Sequence, residues 1–135
     1  MTKISKKYKP TQKEKFMNAK MKEYFKQKLL NWKNELLKES SHTLSNLQSD
    51  NESKPDITDR ASEEIDRSFE LRTRDRERKL INKINAAIQR IEDGSYGYCE
   101  ETGEPISLKR LEARPVATLS IEAQEMHEKA EKRLN

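Results

Sequence analysis

The chain has 135 residues, enough for one small domain with an extension, and 39% of them are charged against 32% hydrophobic. That balance excludes a large spherical core and suits an elongated helical protein, whose thin apolar seam needs few hydrophobic residues. The net charge of +4 is mixed and too mild to establish nucleic-acid binding, and the single cysteine excludes an internal disulfide framework.

The N-terminus, "MTKISKKYKPTQKEK", is rich in lysine but has no apolar h-region, so it does not read as a secretory signal. Residues 1–15 are expected to be a disordered basic tail. No apolar run is long enough to span a membrane, and the expectation is a cytoplasmic monomer. From about Phe16 to Leu47, apolar residues recur at steps of three and four: Tyr24, Phe25, Leu29, Trp32, Leu36, Leu44 and Leu47. This spacing describes one face of a long helix. It should stop near "SDNESKPD", because Pro55 disfavours helical geometry at Lys54 and the surrounding Ser, Asn and Asp compete for backbone hydrogen bonds.

A second helix is expected after the turn around "PDITDRASEE", with Thr58 or Asp59 as its cap and Glu63 and Glu64 near its positive end. Its periodic face reads Ala61, Ile65, Phe69, Leu80, Ile84, Ala87 or Ile88, and Ile91, and Asp93-Gly94 should end it. Two such helices, each roughly 45 Å long at 1.5 Å per residue, bury their seams by folding back on each other. The expectation is an antiparallel coiled-coil hairpin over 16–93, with its tip near 54–60. Between Asp50 and Asp66 stand seven acids and two basic residues, and between Leu71 and Lys83 six basic residues and two acids. The tip is therefore acidic and the stem basic.

The segment 94–135 changes texture: "GSYGYCEETGEPISLKRLEARPVATLS" precedes an amphipathic C-terminal helix. Tyr96, Tyr98, Ile106, Leu108, Leu111, Val116, Leu119 and Ile121 are candidates for a small core. Neither a catalytic Ser/His/Asp-type constellation nor a phosphate-binding glycine loop is recognisable, so an enzyme is not expected.

Four stretches taken together, "DITDRA" at 56–61, "FELRTRDRERKLINKI" at 69–84, "EDGSYGYCE" at 92–100 and "LKRLEARPVATL" at 108–119, resemble the DksA/TraR family of bacterial transcription factors. The resemblance covers roughly 20–135. It implies a mainly α fold, with a long antiparallel coiled-coil hairpin, a small zinc-finger-like globular domain and a C-terminal helix. It also implies a factor that binds RNA polymerase through its secondary channel, changes promoter-complex stability and acts with ppGpp in the stringent response. Carried over by position, the tip residues are Asp56, Asp59 and Ala61. The positions at the ppGpp and polymerase interface are Leu80, Lys83 and Arg114, and a further family lysine is Gln124 here. Lys83 and Arg114 suit phosphate through charge-assisted hydrogen bonds. Without the resemblance both would read as ordinary surface charges, and the two aspartates as helix caps.

Zinc-bearing members of this family have Cys at the positions of Cys99, Thr102, Ser120 and Ala123, so three of four sulfurs are missing. A structural zinc takes four ligands, normally Cys or His, and a Cys99/His127 pair would supply only two. The expectation is a degenerate knuckle without structural metal. Gly103 permits its turn, Thr102 can accept a local hydrogen bond, and Ser120 can cap the last helix ahead of Glu122. Two other readings compete with a polymerase-channel regulator: a coiled-coil adaptor for another protein, and a channel-binding factor of the transcript-cleavage type. Direct DNA binding through Arg72, Arg74, Arg76, Arg78 and Lys79 is weakened by the interspersed Asp75 and Glu77 and is not expected to be sequence-specific.

Overall fold

The computed structural model describes the backbone of residues 4–50 and 57–134, and side chains over 4–39 and 61–133. Helix α1, Ala19–Asp50, starts where Asn18 Oδ1 accepts the Met21 N–H at 2.9 Å. Helix α2, Ile57–Asp93, ends at Gly94, which adopts φ +89°. There the N–H groups of Gly94, Ser95 and Tyr96 all converge on the Arg90 carbonyl at 3.0–3.1 Å. Since α2 has begun by Ile57, Thr58 and Asp59 lie inside its first turn; the expected capping role at those two positions is corrected.

Helix α3, Leu108–Ala113, is capped by Ser107, whose side chain accepts the Arg110 N–H at 3.2 Å. Helix α4, Ile121–Leu134, is opened by Ser120: its Oγ accepts the Ala123 N–H at 3.2 Å. Glu122 in the first turn of α4, and Lys132 and Arg133 in the last, match the helix dipole. Among the described residues the extended structure amounts to one isolated antiparallel bridge between Tyr98 and Pro105. The fold is mainly α: a long antiparallel coiled-coil hairpin, a small zinc-finger-like domain and a C-terminal helix.

The chain divides into two compact units, Met1–Leu30 with Ile84–Asn135, and Asn31–Lys83. In the first, Met21, Phe25 and Leu29 of α1 and Ile84, Ala87 and Ile91 of α2 are buried together with Tyr96, Ile106, Leu111 and Val116. Phe25 and Tyr96 are in ring contact at 5.7 Å, and the Tyr96 hydroxyl donates to the Pro115 carbonyl at 2.7 Å, which satisfies its buried polar end. Each fully buried large side chain contributes about 1.5–3 kcal/mol. Tyr98 and Ile121, expected in this core, are 38% and 47% exposed.

The basic N-terminal stretch, expected as a tail, makes specific contacts from Ser5 onward. The Tyr8 hydroxyl donates to the Glu14 carboxylate, and the Tyr8 ring meets Tyr24 edge-on at 6.0 Å. Phe16 meets Tyr98 edge-on at 5.3 Å, and Met17 is buried at φ +53°.

In the second unit, Leu36 is buried and Trp32 half-buried on α1. On α2 the half-buried positions are Glu63, Glu70 and Glu77, seven residues apart, together with Arg67, Thr73, Leu80 and Ile81. Ala61, Ile65 and Phe69, expected on the buried face, are exposed, Ile65 and Phe69 by 72% and 69%. The correction has a geometric reason. In the heptad that runs through Glu63, Glu70 and Glu77, Leu80 takes the fourth position, in the seam, whereas Ile65 and Phe69 take the third and seventh, away from it. Leu44 and Leu47 lie outside the residues whose side chains are described.

Candidate functional site

The knuckle is organised around Cys99, whose side chain is 2% exposed. The Cys99 N–H donates to the Glu104 carbonyl and the Gly103 N–H donates back to the Cys99 carbonyl, both at 2.8 Å, closing a tight turn. The Ile106 N–H donates to the Gly97 carbonyl at 2.7 Å, and the Glu100 N–H to the Thr118 carbonyl at 2.9 Å, tying the turn to the segment before α4. The Cys99 sulfur accepts from the Thr102 hydroxyl, and then from the backbone N–H groups of Ser120, Thr102 and Glu101. These donors outweigh burial and hold its thiol down to about 6.

Of the four positions expected to correspond to zinc ligands, Cys99, Thr102 and Ser120 are brought together, but the chemistry of the set does not fit the metal. Cys99 contributes the single sulfur. Thr102 is committed to Cys99 and to the Glu104 N–H at 3.3 Å, Ser120 to the α4 cap, and Ala123 is buried without any donor. His127 is paired with Glu101. Among the described residues, no group of three or more His, Cys, Asp or Glu side chains is placed to hold a metal ion.

Beside the knuckle, Lys28 Nζ meets Glu112 Oε2 at 2.5 Å, linking α1 to α3. Burial pushes up the Glu112 carboxyl, but hydrogen bonds from Lys28 and Tyr24 more than offset this and leave it below its ordinary range. Tyr24 is pushed up to about 12 by burial and by the Glu112 carboxylate. Arg114, at the C-cap of α3, is exposed, and its backbone N–H donates to Arg110 at 2.7 Å. Gln124 is half-buried on α4, its amide donating to Glu128 at 3.3 Å.

The other candidate positions lie on α2, in the second unit. Lys83 is exposed, Leu80 half-buried in the seam, and Ala61 exposed. Asp56 lies outside the described residues, and Asp59 has a described helical backbone without a described side chain. The exposed Ile65 and Phe69, and the Lys28–Glu112 pair, were not singled out as interacting groups from sequence. For the two apolar residues, the seven-residue spacing of the acidic seam was the available signal.

Comparison with known proteins bears on the same segments. Residues 21–91 match the family described as DnaK suppressor protein DksA, N-terminal domain, and residues 94–129 match the prokaryotic dksA/traR C4-type zinc finger. The chain is 64% identical over 125 residues, 93% of this chain and 88% of the relative, to the "RNA polymerase-binding transcription factor DksA" of Caulobacter vibrioides. It is 42% identical over 121 residues, 90% and 80% of the two chains, to the protein of the same name from Escherichia coli K12. The solved structure of transcription factor DksA2 from Pseudomonas aeruginosa matches with TM-score 0.82 at 40% identity, covering 87% of this chain and 90% of that one. The chain belongs to the DksA/TraR family.

Proposed function

We propose that this protein binds RNA polymerase directly and regulates transcription, with the hairpin entering the secondary channel and the knuckle unit with α4 resting on the rim. The observation that carries this reading is the 64% identity, over nearly the full length of both chains, to a relative named as an RNA polymerase-binding transcription factor. The protein then acts by placing charge rather than by catalysis. Carboxylates at Asp56 and Asp59 change the field near a catalytic centre that holds bound magnesium, and so alter the lifetime of promoter complexes. Lys83 and Arg114 supply charge-assisted hydrogen bonds to the phosphates of ppGpp, Arg114 in bidentate fashion, with Leu80 beside them. Gln124 supplies an amide where a cation would serve better, so the nucleotide response is weaker than a lysine there would give.

In this reading the protein works as a monomer, without structural zinc and without sequence-specific DNA contacts. No helix among the described residues is long and apolar enough to cross a membrane. The experiment is co-sedimentation with matched core RNA polymerase alongside duplex-DNA binding over a salt series, followed by transcription in vitro from a ribosomal promoter with and without ppGpp. Saturable polymerase binding and altered promoter-complex lifetime are expected. Absence of polymerase binding points instead to an adaptor for another protein.

A further inference from the structure

The positive charge of the chain is confined to one end. Residues 1–22 hold eight lysines and one acid, whereas the remaining 113 residues hold 20 basic residues and 23 acids. The net charge of +4 therefore comes entirely from the N-terminal stretch, and the rest of the chain is net acidic. From Ser5 onward that stretch is an ordered strap on the knuckle unit. Backbone N–H groups of Tyr8, Glu14 and Asn18 donate to the carbonyls of Ser5, Thr11 and Lys15 at 3.0–3.3 Å, folding it into consecutive turns. Its larger apolar side chains are taken up within the unit: Tyr8 and Phe16 are half-buried against the rings of Tyr24 and Tyr98, and Met17 is buried. Its one acid, Glu14, is half-buried and accepts from the Tyr8 hydroxyl at 3.0 Å and from the Thr11 N–H at 2.9 Å. Lys6, Lys7, Lys9, Lys13, Lys15 and Lys20 are left outside, all exposed and none in an ion pair among the described residues. Lys20 stands in the first turn of α1, which has no acid, at the end where the helix dipole favours an anion.

We infer that this strap is a docking surface for the phosphate backbone of duplex DNA, engaged without regard to sequence. The inference goes beyond the polymerase reading and does not rest on it. Charge and the placement of the apolar groups choose the occupant. An acidic protein surface is held through buried aromatic or apolar anchors, and those of the strap are already committed inside the unit. Single-stranded nucleic acid is gripped by stacking on open aromatic faces, whereas Tyr8 and Phe16 are each engaged edge-on with another ring. An anionic membrane surface likewise calls for apolar side chains that can insert. Ammonium groups on an ordered backbone, with no acid left among them, match the closely spaced phosphates of a duplex, whose condensed counterions are released on contact. Contacts of this kind position a protein on DNA but carry no sequence information.

The test is fluorescence anisotropy of a labelled duplex of random sequence with the full-length chain, over a salt series. The parent should bind with a log–log salt slope of about −4, the value for about four or five lysines each neutralising one phosphate. Lys6→Gln/Lys7→Gln/Lys13→Gln changes three exposed side chains, so its melting transition should match the parent. Its duplex affinity should fall by about tenfold or more at low salt, with a slope shallower by about 0.9 for each lysine removed. Lys6→Arg/Lys7→Arg/Lys13→Arg keeps the charge and should bind like the parent. Arg72→Gln/Arg76→Gln/Lys79→Gln removes the same charge from exposed positions of α2 and should keep duplex affinity. A parent that does not bind duplex, or a strap glutamine variant that binds as well as the parent, overturns the inference and leaves the polymerase reading standing. Loss of duplex affinity in the α2 variant alone moves the contact to the hairpin and overturns it too. Tighter binding of the parent to a single-stranded oligonucleotide or to phosphatidylglycerol vesicles than to duplex also overturns it. Strap glutamine variants that keep duplex affinity but lose affinity for DNA-free core RNA polymerase assign the strap to an acidic protein surface, with the same consequence.

Discussion

Replacing Gly97 by alanine tests whether the N-terminal stretch is built into the knuckle unit. Gly97 and Gly94 adopt almost the same backbone conformation, φ +90° and +89°, so alanine meets the same intrinsic strain at both, about 1–2 kcal/mol. Their surroundings differ. A Cβ at Gly94 meets nothing within 4 Å, whereas at Gly97 it comes within 2.9 Å of Met17 Cε, 3.1 Å of Phe16 Cζ and 3.3 Å of Met17 Cγ. Overpacking of that kind costs about 1–3 kcal/mol. The Met17 methyl is the far end of a flexible side chain and can shift, but Phe16 is set edge-on against Tyr98, so the lower half of the range applies. Gly97→Ala should therefore be about 1–2 kcal/mol more costly than Gly94→Ala. Adding Met17→Ala to Gly97→Ala should recover part of that difference as a non-additive coupling. Urea unfolding followed by near-ultraviolet tyrosine dichroism and helical signal measures each variant. Equal costs at the two glycines, with strict additivity for Met17→Ala, would refute the packing of Phe16 and Met17 against the knuckle.

Purified protein should contain far less than one zinc per chain, and chelation should leave its helical signal and melting transition unchanged; stoichiometric zinc retained through dialysis contradicts this. The Cys99 thiol is held at about 6 in the folded chain against an ordinary 9.0. Between those values the unfolded chain binds more protons, so stability should rise with pH across this window and be lost as pH falls through about 6. Cys99→Ser should flatten that rise, as read from melting temperature at several pH values. Lys83→Ala and Arg114→Ala should each reduce the added effect of ppGpp more than they reduce polymerase binding, and Gln124→Lys should strengthen it, as measured by titrated transcription in vitro.

Helix spacing made the hairpin legible because α1 and α2 are long and contain no glycine or proline. The end of α2 was equally plain, because Gly94 is the residue best suited to follow a helix at positive φ. The seam of the distal α2 was misread. Hydrophobicity alone joins Ile65 and Phe69 to Leu80, but the half-buried positions there are Glu63, Arg67, Glu70, Thr73 and Glu77, and polar seam residues give no hydrophobic signal. The knuckle was legible through its capping chemistry: Ser120 and Thr102 accept the local N–H groups that their types suggest. The contacts of Tyr8, Phe16 and Met17 were not, because a lysine-rich stretch without periodicity looks the same whether or not its few aromatic residues find partners.

The central claim is that the hairpin tip regulates transcription by its charge from within the polymerase channel. The most direct measurement is the lifetime of a ribosomal promoter complex with saturating Asp56→Asn/Asp59→Asn protein, beside a competition assay for the channel. Asparagine removes both charges and has a helix propensity close to that of aspartate, so α2 is retained, and the substitutions leave the knuckle unit untouched. The double variant should fold and compete like the parent, yet lose most of its effect on complex lifetime. Undiminished regulation at saturation would contradict the account.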